Sequence, residues 1–173
     1  ALDIHIGEGH RRTDVIKDIC WDKMCLSDEF STENIEKYRP VFHHTPPYGW
    51  MNDPNGMFYK DGVWHLYYQF NPYGSMWGNM TWGHSVSKDL VNWEHLPAAI
   101  TADQWGTIFS GSAVVDVNNT SGFGENAVVA MYTSAGITQK QSIAYSLDGG
   151  LTFTKYEGNP VVTAPQECRD PKV

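Results

Sequence analysis

The sequence is poor in the features that mark a nucleic-acid binder, a disulfide scaffold or a helical membrane protein. Lys and Arg number 12 against 20 Asp and Glu, a formal net charge of −8. The longest basic run is Arg11-Arg12, whereas phosphate recognition needs a basic stripe or patch, so nucleic acid is not an expected partner. Three cysteines, Cys20, Cys25 and Cys168, are too few for a disulfide framework, and one of them must be left over. Cys20 and Cys25 are either a pair or two free thiols. Seven His are scattered along the chain, and no Cys/His spacing matches a zinc site; neither metal nor cofactor is expected. No stretch approaches the ~18 apolar residues of a membrane span, and no apolar h-region opens the chain.

What the sequence does contain is aromatic side chains and turns. Its 173 residues, 41% hydrophobic, suffice for one domain with a sizeable core. Aromatics reach 13%, with seven Trp and nine Tyr, residues favoured where an apolar face meets a polar ligand. Residues 1–40 read as a charged, weakly helical extension or the tail of an upstream segment, with Ser31 or Thr32 as a candidate helix N-cap. From Val41 the pattern changes to short strands. "GMFY" and "VWHLYYQF" flank Lys60-Asp61-Gly62, a hairpin signal. In the second strand Val63, His65, Tyr67 and Gln69 share one face, and Trp64, Leu66, Tyr68 and Phe70 the other. "SGSAVVDV" and "AVVAMYT" bracket the polar loop "NNTSGFGEN", and "QSIAYS" and "LTFTKY" bracket "LDGG". The chain is expected to be all-β, and sandwich, barrel and propeller all fit. A weak repeat favours the propeller: "SVSKDLVNW" resembles "AYSLDGGLTF", with Ser87 and Ser146 a blade-sized interval apart.

The segment "WMNDPNGMFY", Trp50 to Tyr59, constrains its backbone around one carboxylate. Pro54 fixes its own φ and pushes Asp53 into extended geometry. Asn55-Gly56 then predicts a turn into a strand at Met57. Taken alone, such an Asp is read as an Asx-turn. The C-terminal "CRDPKV" repeats the device at Asp170-Pro171, with Arg169 able to hold Asp170 ionised and to donate to a ligand hydroxyl. Two constrained carboxylates, the amides Asn52, Gln69 and Asn79, and the rings of Tyr48, Trp50, Trp77, Trp82, Trp105 and Phe109 point to carbohydrate chemistry. Sugars offer C–H faces to rings and hydroxyls to carboxylates and amides. Many of the rings must nevertheless be core.

"WMNDPNG", "YYQFNP", "WGNMTWGHSVSKDLVNWEHLP", "FSGSAVVD" and "RDPKV", in this order over roughly residues 41–173, resemble glycoside hydrolase family 32, the invertases, inulinases and levanases. The resemblance implies the N-terminal part of a five-bladed β-propeller, with the remaining blades and a C-terminal β-sandwich beyond this chain. It implies release of terminal β-D-fructosyl units from sucrose or fructans (inulin, levan) by a retaining glycoside hydrolase. In that scheme Asp53 is the nucleophile and Asp170 the transition-state stabiliser. Asn52, Gln69, Ser110 and Arg169 would bind fructosyl hydroxyls, and Trp50, Trp77 and Phe109 would wall the pocket.

The family places its acid/base in a Glu-Cys motif well beyond "RDP". Glu167-Cys168 precedes it here, and residues three apart in an extended strand point to opposite faces. Glu167 is therefore set outside the site, and the acid/base is expected outside this chain. A fructan-binding propeller without catalysis and a fructosyltransferase share most of these residues and stay open as alternatives. A secreted, periplasmic or cell-surface location is expected. The triplets at Asn79, Asn118 and Asn119 match glycosylation sequons, meaningful only in a eukaryotic secreted chain. His43-His44 is expected to support the "NDPNG" backbone.

Overall fold

A computed structural model describes residues 38–40, 42–163 and 167–173. The helical reading of the extension and the pairing of Cys20 with Cys25 lie outside these residues. Among the described residues every regular element is a strand: β1 (Trp50–Lys60), β2 (Val63–Asn71), β3 (Thr81–Ser87), β4 (Trp93–Ile100), β5 (Thr107–Asp116), β6 (Ala127–Ala135), β7 (Gln139–Ser146), β8 (Thr154–Lys155) and β9 (Val162–Thr163). They form two antiparallel sheets, β1-β2-β3-β4 and β5-β6-β7-β8, with β9 also pairing on β7. Apart from β9, each sheet is a meander in which neighbours in sequence are neighbours in space, as expected of short connections.

The hairpin at Lys60-Asp61-Gly62 forms where the sequence places it. Asp61 (φ 50°) and Gly62 (φ 85°) take the two positive φ values that a two-residue turn matched to strand twist requires. The Ser-x-Asp repeat falls at one topological position, the end of the third strand in each sheet. Ser87 Oγ accepts from the Leu90 amide at 2.8 Å, and Ser146 Oγ accepts from the Gly150 amide at 2.8 Å. Of "LTFTKY", only Thr154–Lys155 becomes strand; Phe153 packs against the core instead.

The alternation of β2 divides the interior in two. Tyr67, fully buried, joins Phe58, Trp82 and Ile100 of the first sheet to Ile108, Val128, Ala130 and Tyr132 of the second. On the other face of β2, Leu66, Tyr68 and Phe70 pack with Tyr48, Met51 and Trp93. The two sheets thus share one core, and truncating a ring at its centre such as Trp82 costs about 3–5 kcal/mol.

The first strands of the two sheets, β1 and β5, meet closely. The Asn55 side chain, buried, accepts from the Gly111 amide at 3.2 Å. Gly56 (φ 49°) lies so near β5 that a Cβ there would stand 2.9 Å from the Ala113 Cβ. At the far end of the interface the Tyr67 hydroxyl donates to the Gly150 carbonyl at 2.7 Å. Beside it the buried His65 and His84 rings stack, with Nδ1 of the former and Nε2 of the latter 3.1 Å apart.

Candidate active site

Asn52 and Asp53 lie inside a strand, not in the expected loop, and Asn55-Gly56 makes no turn. β1 runs unbroken from Trp50 to Lys60 and absorbs the irregular residues as two register shifts, Met51/Pro54 and Asn55/Phe58. The physical reason is position. β1 is an edge strand, where a proline without an N–H is tolerated, and bulges accommodate the extra residues. β5 does the same opposite it, with a register shift between Ile108 and Gly111 that frees Phe109 and Ser110 from regular pairing. Gly111 is required there, because a Cβ would stand 2.0 Å from the Met131 carbonyl oxygen. Two bulges on adjacent strands therefore aim Asn52, Asp53, Phe109 and Ser110, and bulges re-aim side chains in this way.

These side chains, with Gln69, Trp77, Arg169 and Asp170, line one open cavity of about 270 Å³. Ser110 Oγ donates to Asp53 Oδ2 at 2.7 Å, fixing one carboxylate oxygen across the sheet interface. Trp77 and Phe109 meet edge to face with centroids 5.8 Å apart, and Trp77 is 60% exposed. Gln69 is buried at the cavity wall, and among the described residues its Nε2 has no hydrogen-bond partner. The Trp50 indole N–H donates to Asn52 Oδ1 at 2.8 Å; Trp50 orients that amide and is not among the lining residues.

Asp170 arrives on a segment that is not a strand, which removes the premise of the opposite-face argument about Glu167. Glu167 (φ 68°) and Asp170 (φ 60°) both take left-handed backbone. Glu167 is nevertheless turned away: its carboxylate pairs with the Arg169 guanidinium, and it does not line the cavity. That hydrogen bond pushes the high pKa of Arg169 further up. Arg169 Nε stands 3.9 Å from Asp170 Oδ2. The Asp170 amide donates to Thr133 Oγ1 at 3.0 Å, the Thr133 hydroxyl donates to Gln141 Oε1 at 2.9 Å, and Gln141 Nε2 donates to the Cys168 carbonyl at 2.6 Å.

Several of the other rings are core or interface. Trp82 is fully buried and donates through Nε1 to the Phe109 carbonyl at 3.0 Å, so it supports the β5 bulge from below. Trp105 lies under Lys140, with Nζ 4.8 Å from the ring centroid. His44 bonds Ser85 Oγ at 2.9 Å and not the Asp53 segment; burial first, then His95, pushes it down to about 4. Sequence reasoning missed Thr133, Gln141 and the two bulges. The available signals were polar residues at inward positions of apolar strands, and a Pro and a Gly inside strand patterns.

A cavity lined by two carboxylates, three amide or hydroxyl side chains, a guanidinium and two rings is built for a polyhydroxylated ligand. The chain matches the model of the glycosyl hydrolases family 32 N-terminal domain over residues 43–173, and it belongs to that family. It is 61% identical to the levanase of Bacillus subtilis (strain 168) over 80% of this chain and 21% of that protein. It is 47% identical to the extracellular exo-inulinase of Aspergillus awamori over 87% of this chain and 34% of that protein. Its fold superposes on the structure of fructofuranosidase from Schwanniomyces occidentalis complexed with fructose with a TM-score of 0.74. That match is at 51% identity over 78% of this chain and 29% of the other. The all-strand fold, two antiparallel sheets among the described residues, is that of part of the family's N-terminal five-bladed β-propeller. The chain spans between a fifth and about a third of the length of these relatives.

Proposed function

We propose that this chain carries the nucleophile side of the active site of a retaining glycosidase that releases terminal β-D-fructosyl units from sucrose or fructans. The observation that carries the reading is the cavity in which Asp53, already hydrogen-bonded to Ser110, faces the same space as Asp170. In the retaining scheme Asp53 attacks the anomeric carbon, the bond to the leaving oxygen breaks, and a proton donor supplies the leaving group with its proton. Water, deprotonated by the same group, then releases fructose from the ester with net retention. A retaining pair stands about 5–5.5 Å apart, with the transition state carrying oxocarbenium character. Asp170 stabilises that positive charge and binds hydroxyls, while Asn52, Gln69, Ser110 and Arg169 bind the remaining hydroxyls. Trp77 and Phe109 wall the site, and Trp50 acts through Asn52. Glu167 pairs with Arg169 and does not line the cavity, so it is not assigned as the proton donor. The levanase and exo-inulinase relatives support fructan or sucrose as substrate, and the word "extracellular" in the name of the latter supports secretion.

The test is product analysis of the protein that carries this chain on sucrose, inulin and levan, with the anomer first released read by NMR. Free fructose formed with retention supports the reading. Binding of fructans without turnover would leave a binding propeller, and transfer of fructose to sugar in preference to water would make it a fructosyltransferase.

A further inference from the structure

We infer that Thr133 and Gln141 are positioning residues that hold Arg169 and Asp170 in the cavity through a closed hydrogen-bond relay. The inference rests on the role proposed for Asp170 and goes beyond it.

Thr133 and Gln141 are register partners on β6 and β7 and are buried, at 0% and 5% exposure. A hydroxyl and an amide on the inward face of an apolar sheet need partners, since an unmet polar group there costs as much as a lost hydrogen bond. The partners they take are specific. The relay runs from the Asp170 amide to the Thr133 oxygen, from the Thr133 hydroxyl to Gln141 Oε1, and from Gln141 Nε2 back to the Cys168 carbonyl. Its two ends fall on the two peptide groups that flank Arg169. Both peptide planes are therefore fixed, and with them the directions in which the Arg169 and Asp170 side chains leave the backbone. Asp170 holds a left-handed φ of 60°, a region Asp tolerates better than most non-glycine residues and one that the bond from its amide to Thr133 holds in place. Further along, Ser112 Oγ donates to the Pro171 carbonyl at 3.1 Å and accepts from the Val173 amide at 3.0 Å. All three long strands of the second sheet thus grip the segment, and the Thr133–Gln141 relay bonds the Asp170 peptide itself.

A purely structural pair is available for contrast in the same sheet. The Ser134 and Ser142 hydroxyls lie 2.8 Å apart, both fully buried, with no hydrogen bond to residues 167–173 among the described residues.

The experiment measures kcat and KM on sucrose, with a thermal midpoint, in the enzyme that carries this chain. The variants are Thr133→Val, Thr133→Ser, Gln141→Met and Ser142→Ala. Thr133→Val and Gln141→Met are expected to lower kcat on the order of tenfold to a hundredfold, the scale of a small misplacement of a catalytic group, with KM changed far less. Thr133→Ser keeps the relay and should restore kcat to within a few-fold of the parent. Ser142→Ala should keep the parent kcat while losing a comparable amount of thermal stability. If Thr133→Val fails to fold, Gln141→Met carries the same comparison. A kcat in the relay variants equal to that of Ser142→Ala overturns the inference. Asp53→Asn run alongside separates the two levels: if it stays active, the catalytic reading itself fails. If it is dead while the relay variants turn over normally, only the positioning role falls.

Discussion

Each sheet contributes one carboxylate to the cavity, and the two are held in opposite ways. Asp53 sits within β1, and the group that orients it, Ser110 Oγ, acts on the carboxylate itself at 2.7 Å. Asp170 lies beyond the last strand of the second sheet and is held through its peptide, by Thr133 at 3.0 Å. In the proposed reading Asp53 is the nucleophile and must present one oxygen to one carbon, so a bond to its side chain serves it directly. A group that stabilises spread positive charge tolerates rotation of its carboxylate but not displacement of its Cα. The difference also means that the distance between the two acids is set by the interface between the sheets, where Gly56 meets Ala113 and Tyr67 meets Gly150.

The contrast breaks most completely at the acids themselves. Asp53→Asn should lower kcat by several orders of magnitude, the loss of a covalent nucleophile, with folding nearly intact. Asp170→Asn should cost less, on the order of a hundredfold to a thousandfold, as for a removed electrostatic stabiliser. Single-turnover and steady-state assays on sucrose read both, and an Asp53→Asn enzyme retaining a tenth of its turnover would falsify the assignment.

A wedge at the interface acts on both acids together. Gly56→Ala places a Cβ 2.9 Å from that of Ala113, at a φ of 49°, and is expected to destabilise by about 2 kcal/mol, the scale of overpacking. Chemical denaturation reads the loss, and Ala113→Gly in the same protein should recover part of it. Acid loosens the same interface by another route. Burial first, and then His65, pushes His84 down to about 3 from an ordinary 6.5, against the opposing pull of Asp148. His65 is lowered by burial and by Lys60. The unfolded chain takes up these protons first, so the stability they lend is full above 6.5 and is lost as pH falls toward about 3. A thermal midpoint that stays flat across that window would remove the pair as a cause. The smallest effect is expected at Glu167, whose partner is Arg169. Glu167→Gln should leave turnover within about tenfold. A dead variant rescued by azide would instead mark it as the proton donor.

Much of this was legible in the residues. The hairpin at Asp61-Gly62, the two faces of β2 and the Ser87/Ser146 repeat follow from local rules of turn chemistry and period. All eight cavity residues stand in quoted motifs. Their geometry was less legible. Pro54 and Asn55-Gly56 are turn signals by local propensity, yet pairing with β2 on one side and packing against β5 on the other keep the segment a strand. That is tertiary context overriding local preference. The relay under Asp170 was hidden because its members, Thr133 and Gln141, are separated in sequence from the residues they hold. Trp50, read as a wall, shows only in the structure that its indole N–H goes to Asn52.

The irregular course of β1 has a bearing on assembly as well as on chemistry. An exposed sheet edge invites a passing strand to zip onto it, and that is how many β proteins dimerise or aggregate. β1 ends its sheet and packs against β5 rather than pairing with it, two register shifts interrupt its ladder with β2, and Pro54 has no amide hydrogen to give. A strand arriving there would find the sequence of donors broken in the middle. The distortion that aims Asp53 therefore also makes this edge of the sheet a poor template for another polypeptide.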